Sequence, residues 1–459
     1  MSSLILHTKP EDVDTAEKRG KYTVSIIGCA QIGVLHACLF AEAGFKVICV
    51  DADQTVVNFL AKGKAPFSGH EVELKLKKYV KTGRLNATND VRDAVSQSDV
   101  IIITIPAKID QKKKADYSDI ENACKQVGSS LRRGSLVIFM SAAGFGFTEG
   151  MIKEILENNS GLKVGVDFGL AYSPIRVLDA QSLELLANHE RIVAAPEKNS
   201  LNSASIILET IVKKNVKRVV NIKSAELATL LEAVQRDVNV ALANEFALFC
   251  EKAGVDYLET YKLLNDGAHG AVLLPMLAED SIREETYLLL DDAENLNVKL
   301  RVPTIARKIN EAMIRHAVSL TQNALRDCGK TLRRARIALL GIAQTANTES
   351  SPKTAAKELA AMLEAKGAKV SLHDPYFSDK ELTEIPRPFK KNLTEALEGA
   401  DCIIILTGHD QFKRLNLKKL KVIMRTPAAI VDLEGIMEPE KVEKEGFIYR
   451  GLGRGVWKK

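Results

Sequence analysis

The sequence predicts an α/β protein in which two doubly wound parallel sheets are joined by a long central helix. Three stretches carry that prediction. Residues 22–51 run as buried strand, glycine turn, apolar helix, second strand and acid. Residues 224–254 place apolar side chains at three-and-four spacing. From residue 336 onward, short apolar strands again alternate with helical segments and end in turns. Such alternation builds a parallel sheet whose ligands gather at the strands' carboxyl ends.

Bulk properties narrow the possible classes. A chain of 459 residues can hold two or three domains, each with its own core. Hydrophobic content of 46% with 27% charged residues is globular rather than disordered. A net charge of +5 is mild for this length and does not point to nucleic acid. Lys112, Lys113 and Lys114 read as a solvated loop, and no basic stripe carries interleaved aromatics. None of the seven cysteines forms a CxxC pair, which favours free thiols in a reducing compartment over zinc or disulfides. The first 20 residues hold no signal-peptide core, and no apolar run approaches the roughly 20 residues of a membrane span. The expectation is a cytoplasmic protein without a membrane or nucleic-acid partner.

Residues 1–20 read as a flexible tail. The strand at 22–27 runs into Gly28-Cys29-Ala30-Gln31-Ile32-Gly33, a helix to Ala43, and Gly44. A second strand at 46–50 ends at Asp51. This is the dinucleotide-binding unit of Rossmann-like domains. Gly28 permits the tight turn, and Gly33 lets helix and strand pack closely. The helix start offers free N–H groups to a pyrophosphate. Asp51 can accept from both ribose hydroxyls, which favours NAD over NADP. Ala30 departs from the pattern, because a glycine there lets the backbone approach the phosphates. The competing reading is the same domain without its ligand.

Further strands are expected at 100–105 (ending at Pro106), 136–140 and 164–166. The turns after Ile105, Met140 and Ala171 are where chemistry belongs. Residues 224–254 form a helix roughly 40 Å long, with Ser224 as its cap, Glu226 at its positive end and Gly254 as its stop. His269 lies in the following loop, where a lone histidine without an acid partner is more often structural than a base. A helix at 303–328 leads to the second sheet, with strands at 336–340, 369–372, 402–406 and, last, 430–432.

These residues, in this order, resemble the UDP-glucose/GDP-mannose dehydrogenases, nucleotide-sugar 6-dehydrogenases that include UDP-N-acetylmannosamine dehydrogenase-like members. The resemblance runs from about residue 21 to 454. It includes Gly83-Arg84-Leu85, Tyr172-Ser173-Pro174, Ala243-Asn244-Glu245, Asn310-Glu311, His373-Asp374-Pro375 and Thr407-Gly408-His409-Asp410. It implies an NAD-binding domain over 21–205, a central helical dimerisation domain over 206–330, and a UDP-sugar-binding-like domain over 331–459. NAD is the implied cofactor, held by Gly28, Ala30, Gln31, Ile32, Gly33, Asp51 and Pro106. A nucleotide sugar is the implied ligand, and a homodimer, or a heterodimer with a paralogue, the implied assembly.

The family oxidises a sugar hydroxyl to a carboxylate, and its second step needs a thiolate to hold the aldehyde. In this chain the family's catalytic positions align with other residues. A Ser-Thr pair becomes Ser141-Ala142, and the glutamate of Ser-Pro-Glu-Arg becomes Ile175. The helix lysine and asparagine become Thr229 and Ala233. The cysteine falls near Ser281 and the following aspartate near Glu285, and no cysteine lies between Cys250 and Cys328. In the last domain, Asp432-Leu433-Glu434 carries an acid where the family has an arginine. Two readings remain open: a non-catalytic or regulatory family member, or an active oxidoreductase with altered chemistry using Lys108, His269 or Glu285 as base.

Overall fold

The computed structural model describes residues 5–65, 70–176, 182–266, 272–277, 279–347, 352–377 and 388–454. The chain divides into two compact units, Met1–Ala233 with Tyr287–Val298, and Val234–Thr286 with Lys299–Lys459.

The first unit is built on strands β1 (Thr23–Ile27), β2 (Lys46–Val50), β3 (Leu85–Thr88) and β4 (Val100–Ile103), then the two-residue pair β5 (Lys108–Ile109) and β6 (Ala115–Asp116). It continues with β7 (Leu136–Phe139), β8 (Gly169–Tyr172), β9 (Arg191–Ala194) and β10 (Val216–Val219). The main sheet has the order β10-β9-β8-β7-β4-β1-β2-β3. Val24 pairs in parallel register with Val47 on one side and Val100 on the other. The chain therefore leaves β1 in both directions, and a crevice opens at the carboxyl ends of β1 and β4. The sheet is parallel from β3 to β8, and β9 meets β8 antiparallel at Tyr172 and Ala194. β4, β7 and β8 are buried along their whole length, as continuous apolar runs require when both sheet faces are covered.

Two expectations for this unit are corrected. Residues 164–166 are not a strand: Gly165 sits at φ +79°, and the strand is Gly169–Tyr172. Residues 5–20 are not a loose tail. Ile5 and Leu6 are buried, Leu6 N–H donates to Gly134 O, and Ser203 Oγ donates to Leu6 O. Together with Val13, also buried, these apolar side chains dock the segment.

The long helix spans Ile222–Ala253, and Gly254 ends it at φ +74°. Its cap is Asn221, whose side chain accepts from Ser224 N–H, so Ser224 is already inside the first turn. Glu226 does not face the helix end. It is fully buried and accepts from Gly146 N–H and Thr148 N–H at 2.7 and 2.8 Å. Nor is the apolar stripe one buried face. Ala241, Ala243 and Ala247 are buried, while Leu242, Phe246 and Phe249 stay exposed.

The second unit carries a five-stranded parallel sheet: β11 (Arg336–Leu340), β12 (Lys369–His373), β13 (Cys402–Ile405), β14 (Ala429–Asp432) and β15 (Ile448–Gly451), in the order β12-β11-β13-β14-β15. The sequence does not announce β15 as a strand, because only Ile448 and Tyr449 mark it against two glycines.

This unit's share of the long helix is fastened by a buried polar network. Arg307 pairs with Asp237 at 2.7 Å, and both are nearly inaccessible. Asn310 donates to the Asp237 carbonyl and carboxylate, and Asn244 donates to Asn310. Asn244 also exchanges two hydrogen bonds with the Met276 backbone, fixing the segment 272–277. Burial pushes the Asp237 carboxyl up, and Arg307 opposes the shift. Removing one member of a buried ion pair leaves an uncompensated charge. Arg307→Leu is therefore expected to cost about 3–5 kcal/mol in urea denaturation, and the double variant Arg307→Leu/Asp237→Leu less than the sum of the two single changes.

Candidate functional site

The crevice at β1 and β4 is fixed by contacts too close to allow a side chain. Gly28 sits at φ +95°. A Cβ on Gly33 would lie 2.0 Å from Gly28 O, so the helix start rests directly on the turn. Thr104, just past β4, donates through Oγ1 to Gly28 O and closes the turn from the other side. The helix Gln31–Ala43 follows, and its N-cap Ala30 makes no side-chain hydrogen bond. The first backbone N–H groups therefore lack an internal partner, which suits an anion. The Ala30 methyl is exposed at this opening. Gln31 and Ile32 are half-buried, and Gly33 is buried.

Asp51 lies at the end of β2. Its Oδ2 accepts from Cys29 N–H at 2.7 Å and its Oδ1 from Asp53 N–H at 3.0 Å. One carboxylate thus ties the glycine turn to the second strand. Each oxygen keeps one further acceptor direction, as a ribose diol needs. Pro106 is exposed beyond β4.

The loop after β7 is clamped from three directions. Gly144 N–H donates to Tyr117 Oη, Phe145 N–H to Asp292, and Gly146 and Thr148 N–H to Glu226. Burial pushes the Glu226 and Asp292 carboxyls up. Ala142 is half-buried at the loop's base.

Four expected positions, Ala142, Ile175, Thr229 and Ala233, fall in the first unit. Ile175 packs against the core, and its neighbour Arg176 pairs with Glu232. Thr229 and Ala233 lie on the long helix. Both are buried, and Thr229 Oγ1 donates back to Ala225 O at 3.0 Å, into its own helix. Lys108 is paired with Asp119, which raises its pKa and keeps it protonated. A charged ammonium is not a base, so this candidate is withdrawn.

In the second unit, Ser281 is exposed in the first turn of the helix Asp280–Asn295, and Glu285 is half-buried one turn on. His269 lies outside the described residues. Glu284 was not anticipated. Burial, reinforced by Asp280 and opposed by Arg283, pushes its carboxyl up to about 7. The signal was present as an acid pair at i and i+4, Asp280 and Glu284. Asp280 accepts from Thr354 N–H and Gln344 Nε2.

The second sheet repeats the device of the first. Gly341 follows β11 at φ +83°, and a Cβ there would meet Thr407 at 2.7 Å. Thr407 Oγ1 donates to Ala343 O, and Asp374, after β12, accepts from Ile342 N–H and Ala343 N–H. His409 is fully buried; its Nδ1 accepts from Asn347 N–H, so Nε2 carries the proton and donates to Asp374. Burial raises the Asp374 carboxyl, but His409 and the N–H donors outweigh it and hold the pKa below the usual range. Glu434 pairs with Lys353 at 3.6 Å. All seven thiols are buried, and burial pushes up those of Cys29, Cys38, Cys124, Cys250, Cys328 and Cys402. Among the described residues no cluster of three metal-ligating side chains occurs, and no helix is long and apolar enough to cross a membrane.

Residues 22–213 match the NAD-binding domain of the UDP-glucose/GDP-mannose dehydrogenase family, 223–312 its central domain, and 338–439 its UDP-binding domain. The chain belongs to that family. It is 32% identical over 434 residues to the UDP-N-acetyl-D-mannosamine dehydrogenase of Pyrococcus horikoshii, covering 94% of this chain and 99% of the relative. It is 29% identical to the Methanocaldococcus jannaschii enzyme of the same name, covering 94% and 96%. The solved structure of the P. horikoshii UDP-D-ManNAc dehydrogenase superposes with a TM-score of 0.84 over 95% of this chain and all of that one, at 30% identity. An NDP-N-acetyl-D-galactosaminuronic acid dehydrogenase from Methanosarcina mazei gives 0.77 over 98% of both, at 28% identity. The family's NAD-binding domain makes NAD the cofactor of the first unit, and the uncapped helix start and Asp51 fit its pyrophosphate and ribose.

Asp51→Ala removes the carboxylate that fits a ribose diol and frees the Cys29 N–H. Calorimetry is expected to show NAD affinity lower by at least about tenfold. Glu284 gives a pH signature. Its folded pKa lies above its ordinary value, so it favours folding below that value and loses this contribution as pH rises to about 7. Glu284→Gln should match the parent in acid and be more stable by about 2 kcal/mol in mild alkali, read by urea denaturation.

Proposed function

We propose that this protein binds NAD and a nucleotide sugar but does not carry out the thiol-dependent four-electron oxidation, and acts as a non-catalytic or regulatory member of its family. The observation that carries this reading is the thiol inventory. No cysteine lies between Cys250 and Cys328, and the seven that exist are buried. A thiolate, not a thiol, adds to an aldehyde, and burial disfavours the charged form. The remaining positions agree. Thr229, Ala233 and Ile175 supply neither charge for an oxyanion nor a carboxylate for water, and Ser281 lacks the nucleophilicity of a thiolate.

In this reading 21–205 holds NAD, 206–330 pairs two chains, and 331–459 receives the nucleotide, the domain matching the family's UDP-binding model. The exposed Leu242, Phe246 and Phe249 support pairing through the long helix, with a second copy or an active paralogue. Buried free thiols suit the reducing cytoplasm. The names of its relatives make UDP-N-acetyl-D-mannosamine the first sugar to offer.

One observation favours a second reading, an active two-electron oxidoreductase on a nucleotide sugar in glycan-precursor synthesis. Glu284, on the same helix turn as Ser281, has a pKa of about 7 and can accept a proton near neutrality. A single assay separates the two. Under the first reading, purified protein binds NAD and the UDP-sugar by calorimetry yet forms no NADH by absorbance. Under the second, NADH appears at one equivalent per sugar, and Glu284→Gln abolishes it. In neither case does iodoacetamide change the result. NADH at two equivalents per sugar that alkylation stops would sink both.

A further inference from the structure

The second unit carries a dense run of basic residues. Residues 410–425 contain Lys413, Arg414, Lys418, Lys419, Lys421 and Arg425, with Asp410 as the one acid. Setting these aside from 64 basic and 59 acidic residues leaves 58 of each over the rest of the sequence. This basic stretch covers two short helices, Asp410–Lys413 and Leu417–Ile423.

Packing sorts that stretch into an inner and an outer face. Phe412, Leu420 and Met424 are buried in the core beneath the second sheet, and Asn416 caps the second helix through Lys419 N–H. The outer face presents Lys418, Lys419, Lys421 and Val422, with Arg414 just before them, all exposed. Val422 is 83% exposed, more than any other large apolar side chain among the described residues. It stands four residues from Lys418 and three from Lys419, on one side of the helix. Lys413 is partly neutralised by Asp410, and Arg425 lies 4.0 Å from Asp401. Among the described residues Arg414, Lys418, Lys419 and Lys421 have no ion pair.

We propose that this face docks on an anionic phospholipid surface, the amines meeting lipid phosphates and Val422 entering the headgroup layer. The outer face sets cations around one exposed apolar side chain, as electrostatic attraction to anionic lipid requires. The stretch has no exposed aromatic on which bases stack, which disfavours a single-stranded nucleic acid. The absence of any transmembrane helix among the described residues leaves peripheral docking untouched, and the inference stands independently of whether the protein turns over a sugar.

The test is flotation of the full chain with phosphatidylcholine vesicles, with and without phosphatidylglycerol. Binding is expected only to the anionic vesicles, and it should fall as salt rises. Each cation contributes about fivefold near such a surface, so Lys418→Glu/Lys419→Glu/Lys421→Glu should lower partitioning by at least about 100-fold. NAD binding and melting temperature report that this variant is folded. Should it fail to fold, the single changes Lys418→Gln and Lys421→Gln read the same factor one cation at a time. Val422→Ser should weaken binding severalfold without altering its salt dependence. A control triple reversal at Lys213, Lys214 and Lys217, the exposed basic cluster of the first unit, should leave partitioning unchanged. Equal binding to neutral vesicles, equal loss in the control, or tighter binding to a labelled RNA or an acidic protein than to anionic vesicles overturns the proposal.

Discussion

The tightest constraint in the molecule is the absence of space at Gly33. With Gly28 O 2.0 Å from where a Cβ would stand, helix and turn touch through backbone alone. Everything around the cofactor depends on that contact. It seats the helix start over the crevice, forces Gly28 to a positive φ, and leaves Cys29 N–H pointing at the neighbouring strand end. The nearest acceptor there is Asp51, at 2.7 Å. The second sheet meets the same demand with Gly341, Thr407 and Asp374. The two halves share no obvious sequence, yet each closes its turn with a threonine and clamps it with an acid. A parallel sheet whose chain leaves one strand in both directions creates this vacancy wherever it occurs, and a short list of side chains fills it.

What the sequence disclosed divides along the same physical line. Strands at 46–50 and 336–340 were legible to the residue, because a mostly buried strand reads as an apolar run between turn residues. The glycine turn was legible because its residues act on neighbours a few positions away. Partners separated by tens of residues were not. Nothing near Glu226 announces Gly146, and nothing near Asp237 announces Arg307 seventy residues on. Docking of residues 5–20 and the edge strand β15 were missed for a related reason, since a few apolar side chains make no period. Of the candidate site, residue identities came from matched motifs. Burial, partner and protonation came from the structure, and they turned Lys108 from a base into a structural cation and put Glu284 forward instead.

The protein keeps what holds the fold and changes what performs chemistry in the proposed reading. Asp51, Asp374, His409 and Asn244 each make several hydrogen bonds to backbone groups or to other buried side chains, and losing any one strands polar groups in the interior. Thr229 and Ala233 make no such demand: one bonds to its own helix and the other only packs. Substitution at such positions is inexpensive to stability.

Glu226 adds a consequence in time. Its two donors lie 80 and 78 residues earlier in the chain, and its carboxylate is buried. Burial of the Glu226 carboxylate is therefore compensated only once the loop after β7 is in place. Long-range closure of this kind slows folding. Synthesis runs in the favourable direction, however: the donors leave the ribosome before the acceptor, and the first sheet can wait, assembled, for the helix that completes it.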